Sequence, residues 1–243
     1  MILIYDLVWN LVSNPIFWMI GYMCLCELYF LTYILDQLNR EKYLRYTQII
    51  NASLASISIL IALFIHFTIQ PRIYGSLGGF LTPPTQQILS PFVDFGLFPG
   101  LLVSMTGIIF FISGIGILVP CVIKIYNIVG AKQFESTKLL DTGFWGIVRN
   151  PIYTSLLLIY VGFALIVGAV YSLLLTPIFA AILVSFGLVE TTLNLEKTFG
   201  KERIAEYKKK VPHALINKPL WIIMIGLTSY LILLLFLGYF PLY

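Results

Sequence analysis

The sequence predicts an all-α, polytopic integral membrane protein of about six transmembrane helices, with a helical hairpin in its C-terminal half. Three observations predict it. The 243 residues are 59% hydrophobic and only 11% charged, where a soluble domain carries about 25% charged residues. So few charges cannot cover a water-facing surface. Apolar runs of membrane-crossing length recur along the chain. Finally, the basic residues fall almost entirely into alternate connecting segments.

The six spans are read at roughly 11–36, 48–70, 99–123, 152–169, 171–192 and 219–240. The first ten residues show no basic region and no small-residue cleavage site, so the first apolar run is expected to be a retained span. The fourth and fifth spans should form a tight hairpin turning at Gly168-Ala169-Val170-Tyr171. Between spans 2 and 3, residues 71–98 are rich in Gly and Pro and read as loop with short interfacial pieces. Pro120 and Pro177 need no more than local kinks.

Charge sets the orientation. Arg40, Lys42 and Arg45 lie between spans 1 and 2. Lys124, Lys132, Lys138 and Arg149 lie between spans 3 and 4, and Lys197, Lys201, Arg203, Lys208, Lys209, Lys210 and Lys218 between spans 5 and 6. That places fourteen of the fifteen basic residues on one side, with Arg72 alone on the other. The positive-inside rule makes the rich side cytosolic, with both termini outside. The membrane is a cell membrane, or the endoplasmic reticulum in a eukaryote. The chain divides into residues 1–98 (helices 1–2 and the outer loop), a core at 99–217, and a last helix at 218–243.

Several classes of function are excluded. Cys24, Cys26 and Cys121 sit in apolar stretches and read as packing residues, not as a metal site or a disulfide framework. The Gly75, Gly78, Gly79 run lacks the Lys-Ser/Thr of a phosphate loop. No basic surface interleaved with aromatics suggests nucleic acid. Glu27 would lie about 13 Å into span 1, which requires neutralisation or a polar cavity shared with span 2 near Ser58. His66 lies too near the outer face to serve it.

Two cytosolic segments hold the chemistry. The first runs from Lys124 to Tyr153 and ends Leu139-Leu140-Asp141-Thr142-Gly143-Phe144-Trp145-Gly146-Ile147-Val148-Arg149-Asn150-Pro151-Ile152-Tyr153. Asn150-Pro151 alone is a good helix start, an Asn cap followed by Pro at the first helical position. Arg149 alone could be a snorkelling interfacial arginine. Gly143 and Gly146 either admit close backbone approach to a ligand or simply make a turn. In the second segment Glu190, Asn194 and Lys197 share one helix face at i, i+4, i+7. Glu190 is either a solvated helix end or an acid facing a polar cavity. Lys208-Lys209-Lys210 reads as a patch attracted to anionic lipid, and Glu206 can pair with Lys210.

Together the two segments resemble the isoprenylcysteine carboxyl methyltransferase and phospholipid methyltransferase-like family of membrane enzymes. Residues 139–153 are similar to its Leu…Gly-x-Tyr…Arg-His-Pro-x-Tyr motif. Glu190, Leu195, Phe199-Gly200, Tyr207 and Val211-Pro212 are similar to its later acidic motif. The resemblance covers roughly residues 100–217. It implies binding of S-adenosyl-L-methionine in a cytosolic pocket at the ends of the last helices. Methyl transfer would go to a lipophilic acceptor from the bilayer: a prenylcysteine-like carboxylate, a lipid, or a small thiol or amine. By position, Thr137, Lys138, Leu139, Leu140 and Trp145 fall on one cofactor strip and Asn150, Pro151, Ile152 and Tyr153 on the second. Glu190 falls on the cofactor-binding glutamate, and Glu190 with Arg149 are the catalytic candidates. No metal is implied.

The departures are specific. Asn150 stands where the family has His and Trp145 where it has Tyr. Thr191 and Thr192 follow Glu190, leaving a single acid, and an extra residue separates Gly200 from Tyr207. Residues 186–189 lack the arginine that the prenylcysteine branch uses for the substrate carboxylate. Methyl transfer from a sulfonium is an in-line displacement in which positioning does most of the work. A carboxylate acceptor needs no base, whereas a thiol or amine does, and Glu190 is the evident candidate. Two other classes remain open: an NADPH-dependent reductase of the sterol-reductase type, and a non-catalytic paralogue or transporter.

Overall fold

In a computed structural model the chain is described continuously over residues 98–130 and 139–215, and at scattered positions elsewhere. Spans 1, 2 and 6 of the sequence reading, with Glu27, Ser58 and Cys26, therefore lie largely or wholly outside the described residues. The described positions within those spans are helical apart from His66, which sits in a 3-10 turn.

The described structure is mostly helical, as expected. Two short strands, β1 (Arg72–Ile73) and β2 (Gln87–Ile88), pair in parallel within residues 71–98, where the sequence suggested loop with short interfacial pieces. Then come α1 (Phe98–Gly130), a 3-10 turn (Gly143–Gly146), α2 (Pro151–Val167), α3 (Val170–Leu174) and α4 (Thr176–Glu190). A π-helical turn (Thr191–Leu195), α5 (Glu196–Phe199) and α6 (Lys201–Lys210) complete the series.

Helix α1 shows why this chain suits a bilayer. Its stretch Gly100–Asn127 has a mean hydropathy of 2.5 and is the one helix among the described residues long and apolar enough to cross a membrane. Its buried positions are small: Gly100, Ser104, Gly107, Gly114 and Cys121. They recur at heptad-like spacing, while Met105, Ile109, Ile112 and Ile123 are exposed. A water-soluble helix buries its large side chains, whereas small residues at the seam and large ones outside suit packing in lipid. At Gly114 an added Cβ would lie 2.7 Å from Ile159 Cγ1 and 2.9 Å from the Ser155 carbonyl oxygen, so α1 and α2 meet backbone to backbone. The helix continues past the expected limit of 123, carrying Lys124 on its final turns. Cys121 is buried, as the packing reading requires, but Cys24 is exposed.

Helices α2 and α4 hold 17 and 15 residues. Both are shorter than the spans expected at 152–169 and 171–192, because Gly168–Leu175 is used for a turn and the short α3. The turn is a Schellman closure: Gly168 takes φ +68°, its N–H donates to Leu165 O, and the Ala169 N–H donates to Ala164 O at 2.8 Å. A six-span count is not established by these helices.

The chain forms two compact units. One comprises residues 1–107, 163–175 and 231–243. It holds a buried polar group of His66, Arg72, Ser76 and Ser104. Ser104 Oγ donates to Ile166 O and accepts from the Leu77 N–H at 3.0 Å, while the Ile73 N–H donates to Gly168 O. Residues 73–77 are thus tied, directly and through Ser104, to the end of α2. The other unit, residues 108–162 and 176–230, contains every described candidate site residue.

Candidate functional site

The site is built on the pairing of α2 with α4. Asn150 lies against Gly187, Tyr153 reaches Phe186 and Glu190, and Tyr160 stacks on Phe179 with ring centroids 4.3 Å apart. From Tyr153 beside Phe186 to Tyr160 on Phe179 the partner numbers on α4 fall as those on α2 rise, so the two run antiparallel. This is the hairpin read from the sequence. Helix α4 buries Thr176, Phe179, Ala180, Leu183 and Gly187, a helical stripe that leads to Glu190 one turn beyond Gly187.

Pro151 begins α2 where its missing N–H leaves nothing unsatisfied. The residues around that start grip the segment after α6. The Arg149 N–H donates to His213 O at 2.9 Å and the Asn150 N–H to Ala214 O at 3.1 Å. Arg149 Nη2 donates to Pro212 O at 3.4 Å, and Thr154 Oγ1 donates to Leu215 O. Four consecutive carbonyls are thereby taken up by one helix start. Arg149, a catalytic candidate by resemblance, is turned toward residues 212–213, with its Nε buried and without a hydrogen-bond partner.

Tyr153 Oη donates to Glu190 Oε2 at 3.0 Å. Both side chains are half-buried. The second carboxylate oxygen of Glu190 can accept further hydrogen bonds from a ligand. Directly after Glu190 the helix widens into the π turn, a feature frequent at functional sites. The face shared by Glu190, Asn194 and Lys197 was drawn for an uninterrupted α-helix. The π turn changes the angle per residue, so that register does not carry through; the side chains of Asn194 and Lys197 lie outside the described set.

The Gly143–Gly146 turn presents Phe144 and Trp145. Gly143 takes φ +66°, a conformation that favours glycine. A Cβ at Gly146 would come within 3.1 Å of the Asp141 carbonyl oxygen. Tyr207 Oη donates to Trp145 O at 2.8 Å, and the Lys124 ammonium lies 5.1 Å from the Trp145 ring centroid. Leu139 is buried with Ile204, Tyr207 and Val211, so α6 forms the floor under this turn. Burial pushes the Tyr207 phenol up to about 12, with Arg149 opposing and Asp141 adding to the shift. Lys208 pairs with Glu196 and Lys210 with Asp141, both at 3.0 Å. The lysine run is thus partly engaged within the protein. The expected Glu206–Lys210 pair gives way to Asp141, which α6 brings beside Lys210.

The structure therefore brings together Leu139, Trp145, Arg149, Asn150, Pro151, Tyr153 and Glu190 within one unit. Leu140 and Ile152 lie on the same segment, half-buried. Thr137 and Lys138 lie outside the described residues. Sequence reasoning missed Gly187, Thr154 and the Tyr207–Trp145 bond. Gly187 carried a signal, since a glycine inside an apolar helix often marks close approach. The other two rest on contacts about 60 residues apart. No group of three metal-ligating side chains occurs among the described residues.

Comparison with protein families matches residues 100–202 to the model described as phospholipid methyltransferase. The match begins within α1 and ends just past Gly200, so it includes Trp145, the Asn150–Tyr153 helix start and Glu190. Nothing matched in the comparisons with curated proteins and with solved structures.

Proposed function

We propose, from the premise that residues 100–202 belong to the phospholipid methyltransferase family of membrane methyltransferases, that this unit binds S-adenosyl-L-methionine and methylates a lipophilic acceptor held in the bilayer. In the same reading the core spans 99–217, the other helices complete a six-span bundle, and the site faces the cytosol.

The observation that carries the proposal is the Tyr153–Glu190 pair, which shares its unit with the Trp145 turn. The residues fit the ligand chemically. A half-buried carboxylate suits ligand hydroxyls or an ammonium, and an indole offers a flat apolar face to a nucleoside ring. The bound cofactor supplies an activated methyl group for in-line displacement. The protein's own contribution is positioning. Tyr153 fixes the Glu190 carboxylate, Glu190 binds cofactor and takes a proton from a thiol or amine acceptor, and Arg149 holds residues 212–213 against the start of α2. The exposed aliphatic face of α1 gives a lipid-facing wall along which an apolar acceptor can approach.

The test is calorimetric titration of the detergent-purified protein with S-adenosylhomocysteine, repeated on Glu190→Ala and Tyr153→Ala. Micromolar binding lost in both variants supports the assignment. Absence of binding by the folded wild-type protein overturns it, and NADPH and then transport become the next assays.

A further inference from the structure

We infer that Gly187 is a positioning residue of the site, providing the flat seat on which the Asn150 amide is held. The inference rests on the cofactor reading above and assigns a role to a residue outside every motif that suggested it.

The geometry is narrow. Gly187 is buried in α4. A Cβ built there would overlap Asn150 Nδ2 and lie 3.0 Å from Asn150 Cγ and 3.5 Å from Oδ1. The amide therefore lies across the glycine, and no larger residue fits without displacing it. The Asn150 main chain is fixed, its N–H committed to Ala214 O and its carbonyl accepting from the Thr154 N–H, so the amide can make room for a methyl only by turning away about its own side-chain bonds. Gly187 is fixed from its other side: Thr191 Oγ1 donates to its carbonyl oxygen at 2.6 Å, in a buried bond. The same two helix ends meet a second time where the longer Tyr153 side chain reaches Glu190. A side chain at Gly187 displaces the Asn150 amide presented to the cofactor. Such an effect acts through Asn150, so it must vanish when the amide is absent.

The experiment is a double-mutant cycle in S-adenosylhomocysteine affinity on the detergent-purified protein. Its members are the wild type, Gly187→Ala, Asn150→Ala, and Asn150→Ala/Gly187→Ala, with thermal unfolding recorded for each. The expected result is a loss of roughly tenfold or more in Gly187→Ala, the size of one misplaced polar contact. In the Asn150→Ala background the added methyl then changes affinity less than about twofold. A merely structural glycine would lower the melting temperature and leave affinity without this coupling. Wild-type affinity in Gly187→Ala, or the same further loss in both backgrounds, overturns the inference. If Gly187→Ala alone does not fold, a folded double variant with the Asn150→Ala affinity supports it. A double variant that also fails to fold overturns it, because the methyl then meets something other than Asn150. Absence of binding by the wild type sinks the cofactor reading and this inference with it. Binding by the wild type without coupling sinks the inference alone.

Discussion

Tyr207→Phe is the substitution that isolates the support beneath the Trp145 turn. Tyr207 is 7% exposed, and its hydroxyl donates to Trp145 O at 2.8 Å. The ring fits equally well as Phe, so only the hydrogen bond changes. Leaving a partly buried carbonyl without its donor costs about 1–3 kcal/mol. Water reaches the half-exposed turn, which favours the lower part of that range, about 1–2 kcal/mol. For a chain of this size each kcal/mol moves the melting temperature by about 2–4 °C. The expected shift is therefore a fall of about 2–8 °C, read by tryptophan fluorescence in detergent. A second axis sharpens the test. The folded-state value of about 12 lies above the ordinary 10 of the phenol. A raised value means that the folded protein favours the protonated form. That contribution is complete below pH 10 and is lost as pH rises from about 10 through about 12. Wild type should therefore lose stability more steeply across that window than Tyr207→Phe. The chain has 15 tyrosines, so the difference between the two proteins is the informative quantity. Equal melting temperatures at pH 7 together with parallel alkaline curves would refute the assigned bond.

Three further outcomes follow from the same geometry. Tyr153→Phe removes the donor to Glu190 Oε2 while keeping the ring against Phe186; S-adenosylhomocysteine affinity should fall about tenfold, the equivalent of about 1.4 kcal/mol, and titration of that variant checks it. Gly168→Ala forces a side chain into φ +68° and places its Cβ 2.7 Å from Ser76 Cβ; the backbone strain alone is about 1–3 kcal/mol, so the melting temperature should fall by several degrees with affinity for the cofactor product much less affected. Lys210→Ala breaks an exposed pair with Asp141, and exposed pairs contribute about 0–1 kcal/mol; a melting temperature within about 2 °C of wild type is expected, and a large fall would show that α6 depends on that pair.

Much of this arrangement was legible because a bilayer constrains local sequence so strongly. The apolar run of α1, the Gly168 turn and the Asn150-Pro151 helix start each follow from a few neighbouring residues, and each appears where local rules put it. The helix limits were less legible. Apolar residues continue through Val170–Leu175 as readily as through a span, so hydropathy could not reveal that this stretch folds into a turn and a short helix. The π turn after Glu190 was hidden for a related reason: nothing in Thr191-Thr192-Leu193-Asn194-Leu195 forbids an ordinary α-helix. The resemblance could place Glu190, Asn150 and Tyr153 in a common site but could not say what holds them there. That information lies in pairs distant in sequence, such as Tyr207 with Trp145 and Thr154 with Leu215.

Asn150 shows how the two kinds of information combine. Read locally it is a helix cap, and read by resemblance it stands in a cofactor strip. Its main chain indeed opens α2, with its carbonyl accepting from the Thr154 N–H at 3.0 Å. Its side-chain amide lies across Gly187 on the facing helix. An amide can both donate and accept without changing charge, whereas a histidine at this position could become a cation. Its hydrogen-bonding capacity is therefore independent of pH. On the proposed reading, position 150 adds no ionisation to cofactor binding between about pH 5 and 8, where a histidine would. Asn150→His introduces that ionisation, and its ring must also fit against Gly187. Titrations across this range in wild type and Asn150→His, with Glu190→Gln as the reference, separate the two groups. Identical profiles in wild type and Asn150→His would contradict the account, because at position 150 only the histidine side chain can ionise.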